Sequence, residues 1–207
     1  MAMSGAGITL RLLGEMEVLR GQNRVDLPPS RKSRALLAYL AATARPQRRE
    51  RLCALLWDVP DDPKGSLRWS LSRLRAVLDD GETSCIVANR ETVALDTSRC
   101  SIDLLSVRAL GGGSSKGLEG QPTEQLLTAA GAFRGEFMEG LDLPNSHEFQ
   151  SWCLAEREEL RRLNIELLAE LRRRHDAEPE AALGFARRLV HTGGHTTTRS
   201  LLPVAIF

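Results

Sequence analysis

The chain has 207 residues, 42% of them hydrophobic and 27% charged, with a net charge of +1. That mix excludes a disordered chain, a collagenous chain and a coiled-coil rod, and the length favours two small domains over one. The near-zero net charge hides an asymmetry: residues 1–110 carry 17 Lys and Arg against 13 Asp and Glu, the remainder 11 against 14, and residues 31–75 alone 11 against 4. A basic module joined to a mildly acidic one points to a polyanion as partner of the first, with uneven solvated faces as the plain alternative.

Residues 8–27 read as short strands. Ile8, Leu10 and Leu12 alternate with Thr9 and Arg11, Met16 and Val18 alternate with Glu15 and Glu17, and Gly21-Gln22-Asn23 marks a turn before Val25-Asp26-Leu27. This is the period of a small antiparallel meander with one apolar face. Pro28-Pro29 stops it, since proline cannot donate to a ladder. Ser30 is an N-cap for a helix over 31–43, whose Leu36, Leu37, Leu40 and Ala41 share a face. A second helix is expected over about 48–57.

The third helix has the clearest signals. Asp62 is its N-cap and Pro63 suits its first position. Leu67, Leu71, Leu74 and Leu78 fall within about 60° of one another on a helical wheel, and Gly81 is expected to close the helix. The remaining face carries Lys64, Arg68, Trp69, Ser72, Arg73 and Arg75 and no acidic residue. Trp69 lies about 200° from Leu67. It is expected either to contact DNA or a second subunit, or to be partly buried against the turn at Val59-Pro60. Ile86-Val87-Ala88 and Thr92–Leu95, separated by Asn89-Arg90-Glu91, read as a hairpin with Arg90 at its tip. A short helix over about 101–110, capped by Ser101, is expected next.

Residues 111–117, Gly-Gly-Gly-Ser-Ser-Lys-Gly, have the composition of a flexible linker. A phosphate-binding loop would need Ser or Thr after the lysine and a strand before the glycines, and neither is present. Beyond the linker everything reads as helical: 123–133, then a long helix over 147–174 capped by Ser146, then 179–190. Antiparallel helix pairs of this kind resemble a helical-repeat module. The linker predicts two semi-independent halves, so a chain ending near Leu110 is expected to keep its DNA affinity within about tenfold (~1.4 kcal/mol).

Cys53, Cys85, Cys100 and Cys153 are too far apart for a C-x-x-C motif and are expected as reduced core thiols. His191 and His195 are spaced i, i+4 but are separated by Gly193-Gly194, which breaks any helix between them. No metal, no cofactor and no enzymatic activity are expected, because no nucleophile–base pair, metal motif or nucleotide loop is present. No run approaches about 20 apolar residues, so no membrane span is expected. With no secretory signal at the N-terminus, a cytoplasmic chain is expected.

Strands, three helices with a basic third, then a hairpin is the order of a winged helix-turn-helix, in which the third helix enters the major groove. Arg68, Ser72, Arg73 and Trp69 are then the candidate base readers. Lys64, Arg75, Arg31, Lys32, Arg34, Arg48, Arg49 and Arg90 are the phosphate or wing candidates.

Several segments carry a family resemblance. They are Leu10-Arg11-Leu12-Leu13-Gly14, the run Arg31 through Leu40, Leu55-Leu56-Trp57 and the run Leu67 through Arg75. Phe133 through Leu141 and Trp152 through Arg157 add to them. On these the chain resembles the Streptomyces antibiotic regulatory protein (SARP) family of bacterial transcriptional activators. The resemblance implies an α+β fold class: a winged helix-turn-helix of the response-regulator type over 8–110, then an all-α, tetratricopeptide-like transcriptional activation domain over 118–190. Residues 191–207 depart from the family, where a further helical pair would continue, and read as an atypical tail. The resemblance also implies binding to repeats in double-stranded promoter DNA and contact with RNA polymerase holoenzyme. A homodimer is a further expected partner state. Two other readings stay open: an N-terminal regulatory fragment of a larger multidomain activator, and a protein-interaction scaffold that does not bind DNA.

Overall fold

The computed structural model describes residues 7–57, 62–79, 84–111 and 115–175, together with 184, 185, 187, 188 and 192. The expected helix over 179–190 and the tail over 191–207 fall almost wholly outside the described residues, as do Val59, Pro60 and Gly81. The chain is mixed α+β and divides into two compact units. The first comprises Met1–Val107 with Phe133–Arg157, the second Arg108–Ala132 with Glu158–Phe207.

The first unit opens with β1 (Ile8–Arg11), β2 (Gly14–Glu15), β3 (Glu17–Arg20) and β4 (Asn23–Val25). β1 and β3 pair antiparallel, as do β3 and β4, giving the expected meander. Leu10 and Val18 point inward and are fully buried.

Helix α1 (Arg31–Thr43) begins where the sequence places it: the Ser30 hydroxyl accepts from the Ser33 amide. It ends at Ala44 in the left-handed region (φ 49°). Then come β5 (Gln47–Arg48), α2 (Arg49–Leu56) and α3 (Pro63–Leu78). The Asp62 carboxylate caps α3 by accepting from the Gly65 amide at 2.7 Å. A side chain at Gly65 would press on the Asp62 carboxylate, so glycine there lets the cap keep this geometry. At the other end Arg20 donates to the carbonyls of Val77 and Asp79, both at 3.0 Å, answering backbone acceptors that a helix end leaves free.

Leu36, Leu37 and Leu40 of α1, Leu52, Leu55 and Leu56 of α2 and the four leucines of α3 form one apolar core. Inside it the hydroxyls of Ser33 and Ser70 meet at 3.0 Å, which satisfies two buried polar groups. All four cysteines are buried, and none of them forms a disulfide.

β6 (Ile86–Ala88) and β7 (Thr92–Leu95) form the expected hairpin, and β5 joins it to give the order β5-β7-β6. The expected Ser101 cap is corrected. Cys100–Ile102 is a strand, β8, lying parallel to β1 with Ile8 opposite Cys100. Helix α4 starts at Asp103 (Asp103–Gly111). The Asp103 carboxylate accepts from the amides of Leu12, Leu13 and Leu104. Burial pushes its pKa up, against the pull of those amides.

The expectation that everything beyond the linker is helical is also corrected. Phe137–Glu139 is a strand, β9, parallel to β2. The Met138 amide donates to Leu12 O and the Gly14 amide to Glu136 O. Gly14 sits at φ +125°, and a side chain there would crowd Arg134 and Gly135 at 3.1–3.2 Å, so glycine permits this approach.

Helix α7 (His147–Arg174) has its residues up to Arg157 in the first unit and those from Glu158 in the second. Trp152 packs edge-on against Tyr39 of α1 (ring centroids 4.7 Å) and against Phe137 (5.8 Å), with Phe149 tilted at 5.3 Å. Nearby, Arg51 of α2 pairs with Glu148.

The second unit holds α5 (Ser115–Glu119), α6 (Thr123–Ala132) and the later part of α7. The run expected as a linker over 111–117 is therefore partly helical: Gly111 ends α4 and Ser115 begins α5, with 112–114 outside the described residues.

Candidate nucleic-acid interface

Helix α3 is two-faced, as its periodicity requires. Leu67, Leu71, Leu74 and Leu78 are buried, while Lys64, Arg68, Trp69, Ser72 and Arg73 are exposed. The solvent face carries no carboxylate of its own. The Asp62 cap holds Arg68 in a loose ion pair at 3.7 Å, with both side chains about two-thirds exposed. Such a pair contributes about 0–1 kcal/mol and yields readily to a competing anion. Trp69 is 48% exposed, a large apolar ring left in solvent. The Arg73 guanidinium lies over it, 5.2 Å from the ring centroid.

Beside α3 runs an open groove of about 1050 Å³. Its basic lining comes from three places: Arg48 and Arg49 where β5 gives way to α2, Lys64 and Arg68 from α3, and Arg90 at the hairpin tip; Glu50 and Glu91 also line it. The burial of Leu52, Leu55 and Leu56 against the α3 leucines fixes the first two elements, and the β5–β7 pairing, Arg48 opposite Thr92, fixes the third.

Other predicted residues have different surroundings. Arg75 is half-buried and donates to Ile86 O at 3.3 Å, tying α3 to the first strand of the hairpin. Arg34 donates to Pro28 O at 2.7 Å, holding the entry to α1. Arg31 is exposed and Lys32 half-buried, and neither lines the groove. The predicted alternative that Trp69 packs on Val59-Pro60 falls outside the described residues.

Sequence reasoning passed over Asn89. Its side-chain oxygen accepts from the amides of Glu91 (2.8 Å) and Thr92 (2.7 Å), closing the hairpin tip as an Asx turn. Arg49 holds that tip twice, through Nε to Asn89 O and its amide to Glu91 O, each at 2.8 Å. The signal was there, an Asn three residues before a Thr in a hairpin loop. Arg49 carries no sequence mark of this role, because its partners are the backbone carbonyls of Asn89 and Glu91, far along the chain.

Cys53 lies in the groove wall, where burial pushes its thiol pKa up. Among the described residues no group of three His, Cys, Asp or Glu could hold a metal ion, and no helix is long and apolar enough to cross a membrane.

Among solved structures the chain is similar to Mycobacterium tuberculosis EmbR in complex with a low affinity phosphopeptide. The TM-score is 0.54 at 19% identity, over 92% of this chain and 60% of that one. At that identity the likeness is one of fold. The chain thus spans about 60% of the length of this neighbour. No protein-family model matches the sequence, and no curated protein matches it.

Proposed function

We propose that the chain is a sequence-specific DNA-binding transcriptional regulator. In this reading β1–β4, α1–α3 and the β6–β7 hairpin form a winged helix-turn-helix, with α3 as recognition helix and the hairpin as wing. The observation that carries it is the combination of an exposed, carboxylate-free basic face on α3 with a groove whose cations come from α2, α3 and the hairpin tip together. A helix of this width fits the major groove. Cations spaced along the adjoining groove suit a backbone that carries one charge per about 1.7 Å of duplex. The EmbR-like fold supports the arrangement of strands, helices and hairpin.

The finer reading follows the SARP resemblance. The chain binds promoter repeats, acts as an activator through RNA polymerase holoenzyme, works without a cofactor or catalysis in the cytoplasm, and pairs as a homodimer on repeated half-sites. The test is binding of the full chain to random and genomic double-stranded fragments across a salt series. The expected result is retarded complexes whose log affinity falls linearly with log salt, with a subset of fragments bound far more tightly. Absence of any DNA complex at low salt overturns the reading and leaves a protein-interaction module.

A further inference from the structure

We propose that Trp69 acts on DNA through Arg73: the indole is a platform that orients the Arg73 guanidinium, so that Arg73 is the principal base reader of α3 and Trp69 a positioning residue. The inference rests on the reading of α3 as a recognition helix and assigns the specificity within it.

The three arginines of α3 are in different states. Arg75 donates to Ile86 O, and Arg68 leans toward Asp62 at 3.7 Å. Among the described residues no carboxylate pairs with Arg73. Its close partner among the described residues is the Trp69 ring, one helical turn back, with Cζ 5.2 Å from the centroid. A guanidinium drawn to an aromatic face is held through its delocalised charge by the ring quadrupole, which leaves an N–H edge unspent. That edge is the part that pairs in bidentate fashion with O6 and N7 of guanine. The ring contact and base reading are therefore compatible, and the contact removes rotamer freedom that a free arginine would have to lose on binding. It also accounts for a 48% exposed tryptophan opposite the leucine stripe, where burial in the core is geometrically closed to it. A tryptophan touching a thymine methyl or a protein partner on its own account would act independently of Arg73, and this difference is measurable.

Sequences are first selected from a random duplex pool by the full chain. Affinities for the selected and a scrambled duplex are then measured for wild type, Trp69→Ala, Trp69→Phe, Arg73→Ala and the Trp69→Ala/Arg73→Ala pair, with thermal melting of each. The platform predicts that Trp69→Ala lowers the preference for the selected duplex about fivefold. Trp69→Phe keeps most of it, and the salt slope does not move, because no phosphate contact is lost. In the Arg73→Ala background Trp69→Ala has no further effect, the mark of coupled residues. Additive losses, an unchanged preference in Trp69→Ala, or a Phe variant as poor as the Ala variant overturns the platform while leaving α3 as the reader. Failure of the wild type to select any sequence overturns the recognition-helix reading itself, and the platform with it.

Discussion

On α3 the guanidinium of Arg73 stands in solvent against an exposed ring; at the end of α7 that of Arg174 is surrounded by the protein's own acceptors. Arg174 donates to Glu170, to the carbonyls of Leu118, Glu119 and Gln121, and to the Thr123 hydroxyl, all at 2.6–3.0 Å. Its side chain is 17% exposed. The Leu118 and Glu119 carbonyls close α5; that of Leu118 also accepts from the Gln121 amide at 3.2 Å, and Arg174 uses the acceptor capacity left over at this helix end. Arg173 pairs with the same Glu170, and Arg161 with Glu158. One residue type thus serves as structural staple in the second unit and as uncommitted cation on α3. The total of 28 Lys and Arg distinguishes nothing; the acceptors within reach of each guanidinium do. A free guanidinium is worth little to stability and much to a polyanion, and a fully partnered one the reverse.

The harshest test of the comparison concerns what holds α3 in place. Residues 133–157 belong to the same compact unit as α3. A chain ending near Leu110 loses the β2–β9 pairing and leaves Tyr39 of α1 without Trp152. We therefore expect that truncated chain to lack a cooperative melting transition, where the linker reading predicted a self-sufficient half. Trp152→Ala in the full chain, where the ring is half-buried, should cost about 2–3 kcal/mol in denaturant unfolding. A well-folded, DNA-competent 1–110 fragment would show that the aromatic contacts are dispensable.

Next in size is Arg174→Ala, which takes the side-chain donor from the Glu119 and Gln121 carbonyls and leaves Glu170 with Arg173 alone; it should cost about 1–3 kcal/mol of stability without changing DNA affinity. The same cluster gives a pH signature. Hydrogen bonds from Arg173 and then Arg174 hold the Glu170 carboxyl down at about 2, against an ordinary value near 4.5. A depressed carboxylate pKa stabilises the fold above the unfolded-state value and loses that contribution as protons bind. The contribution is therefore whole above about pH 4.5 and fades toward pH 2. Glu170→Gln should flatten this part of the acid-unfolding curve. An unchanged curve would mean that other carboxylates govern acid stability.

Periodicity and caps made much of this legible. Ser30 and Asp62 announced α1 and α3, and the expected helix over 147–174 is His147–Arg174. What stayed hidden is what depends on a distant partner. β5, β8 and β9 are two or three residues long and exist through pairing with β7, β1 and β2. No local pattern marks such segments, and Ser101 and the 133–141 run were misread for that reason. At the site the leucine stripe told which side of α3 is polar. It could not tell that Arg75 and Arg34 are spent on carbonyls of Ile86 and Pro28, because backbone acceptors leave no trace in side-chain spacing.

A third test inverts the second. Arg68→Ala removes only a two-thirds exposed ion pair, so melting should shift by no more than about 0.5 kcal/mol. If Arg68 reads a base, its preference for the selected duplex over random DNA should fall by about 1–3 kcal/mol. Equal losses on both duplexes would reassign Arg68 to phosphate, in keeping with its place in the groove beside Lys64. Arg68→Ala and Arg174→Ala should then form a crossed pair, one losing affinity at constant stability, the other stability at constant affinity. Parallel losses in both variants would erase the distinction between free and committed arginines.

The smallest expected effect is at the hairpin tip, where the comparison is finest because two arginines sit side by side in the groove. Arg90 is exposed and has no ion pair among the described residues, whereas Arg49 is fixed on the carbonyl of Asn89. The Asn89 turn builds the tip in advance, so on the proposed reading Arg90 would meet DNA without reordering the loop. Arg90→Ala should therefore remove one phosphate contact: the salt slope becomes shallower by about 0.9 and affinity falls alike on every sequence. Arg49→Ala leaves Arg90 present but frees the tip that carries it. It should weaken binding and also raise hydrogen exchange at the Glu91 and Thr92 amides, which Arg90→Ala should leave protected. If Arg90→Ala leaves the slope unchanged, the wing lies off the DNA, and the groove's phosphate contacts fall to Arg48, Lys64 and Arg68. If Arg49→Ala lowers the slope by the same 0.9 with the tip amides still protected, Arg49 is a phosphate ligand, and the line between free and committed arginines runs elsewhere than through the hairpin.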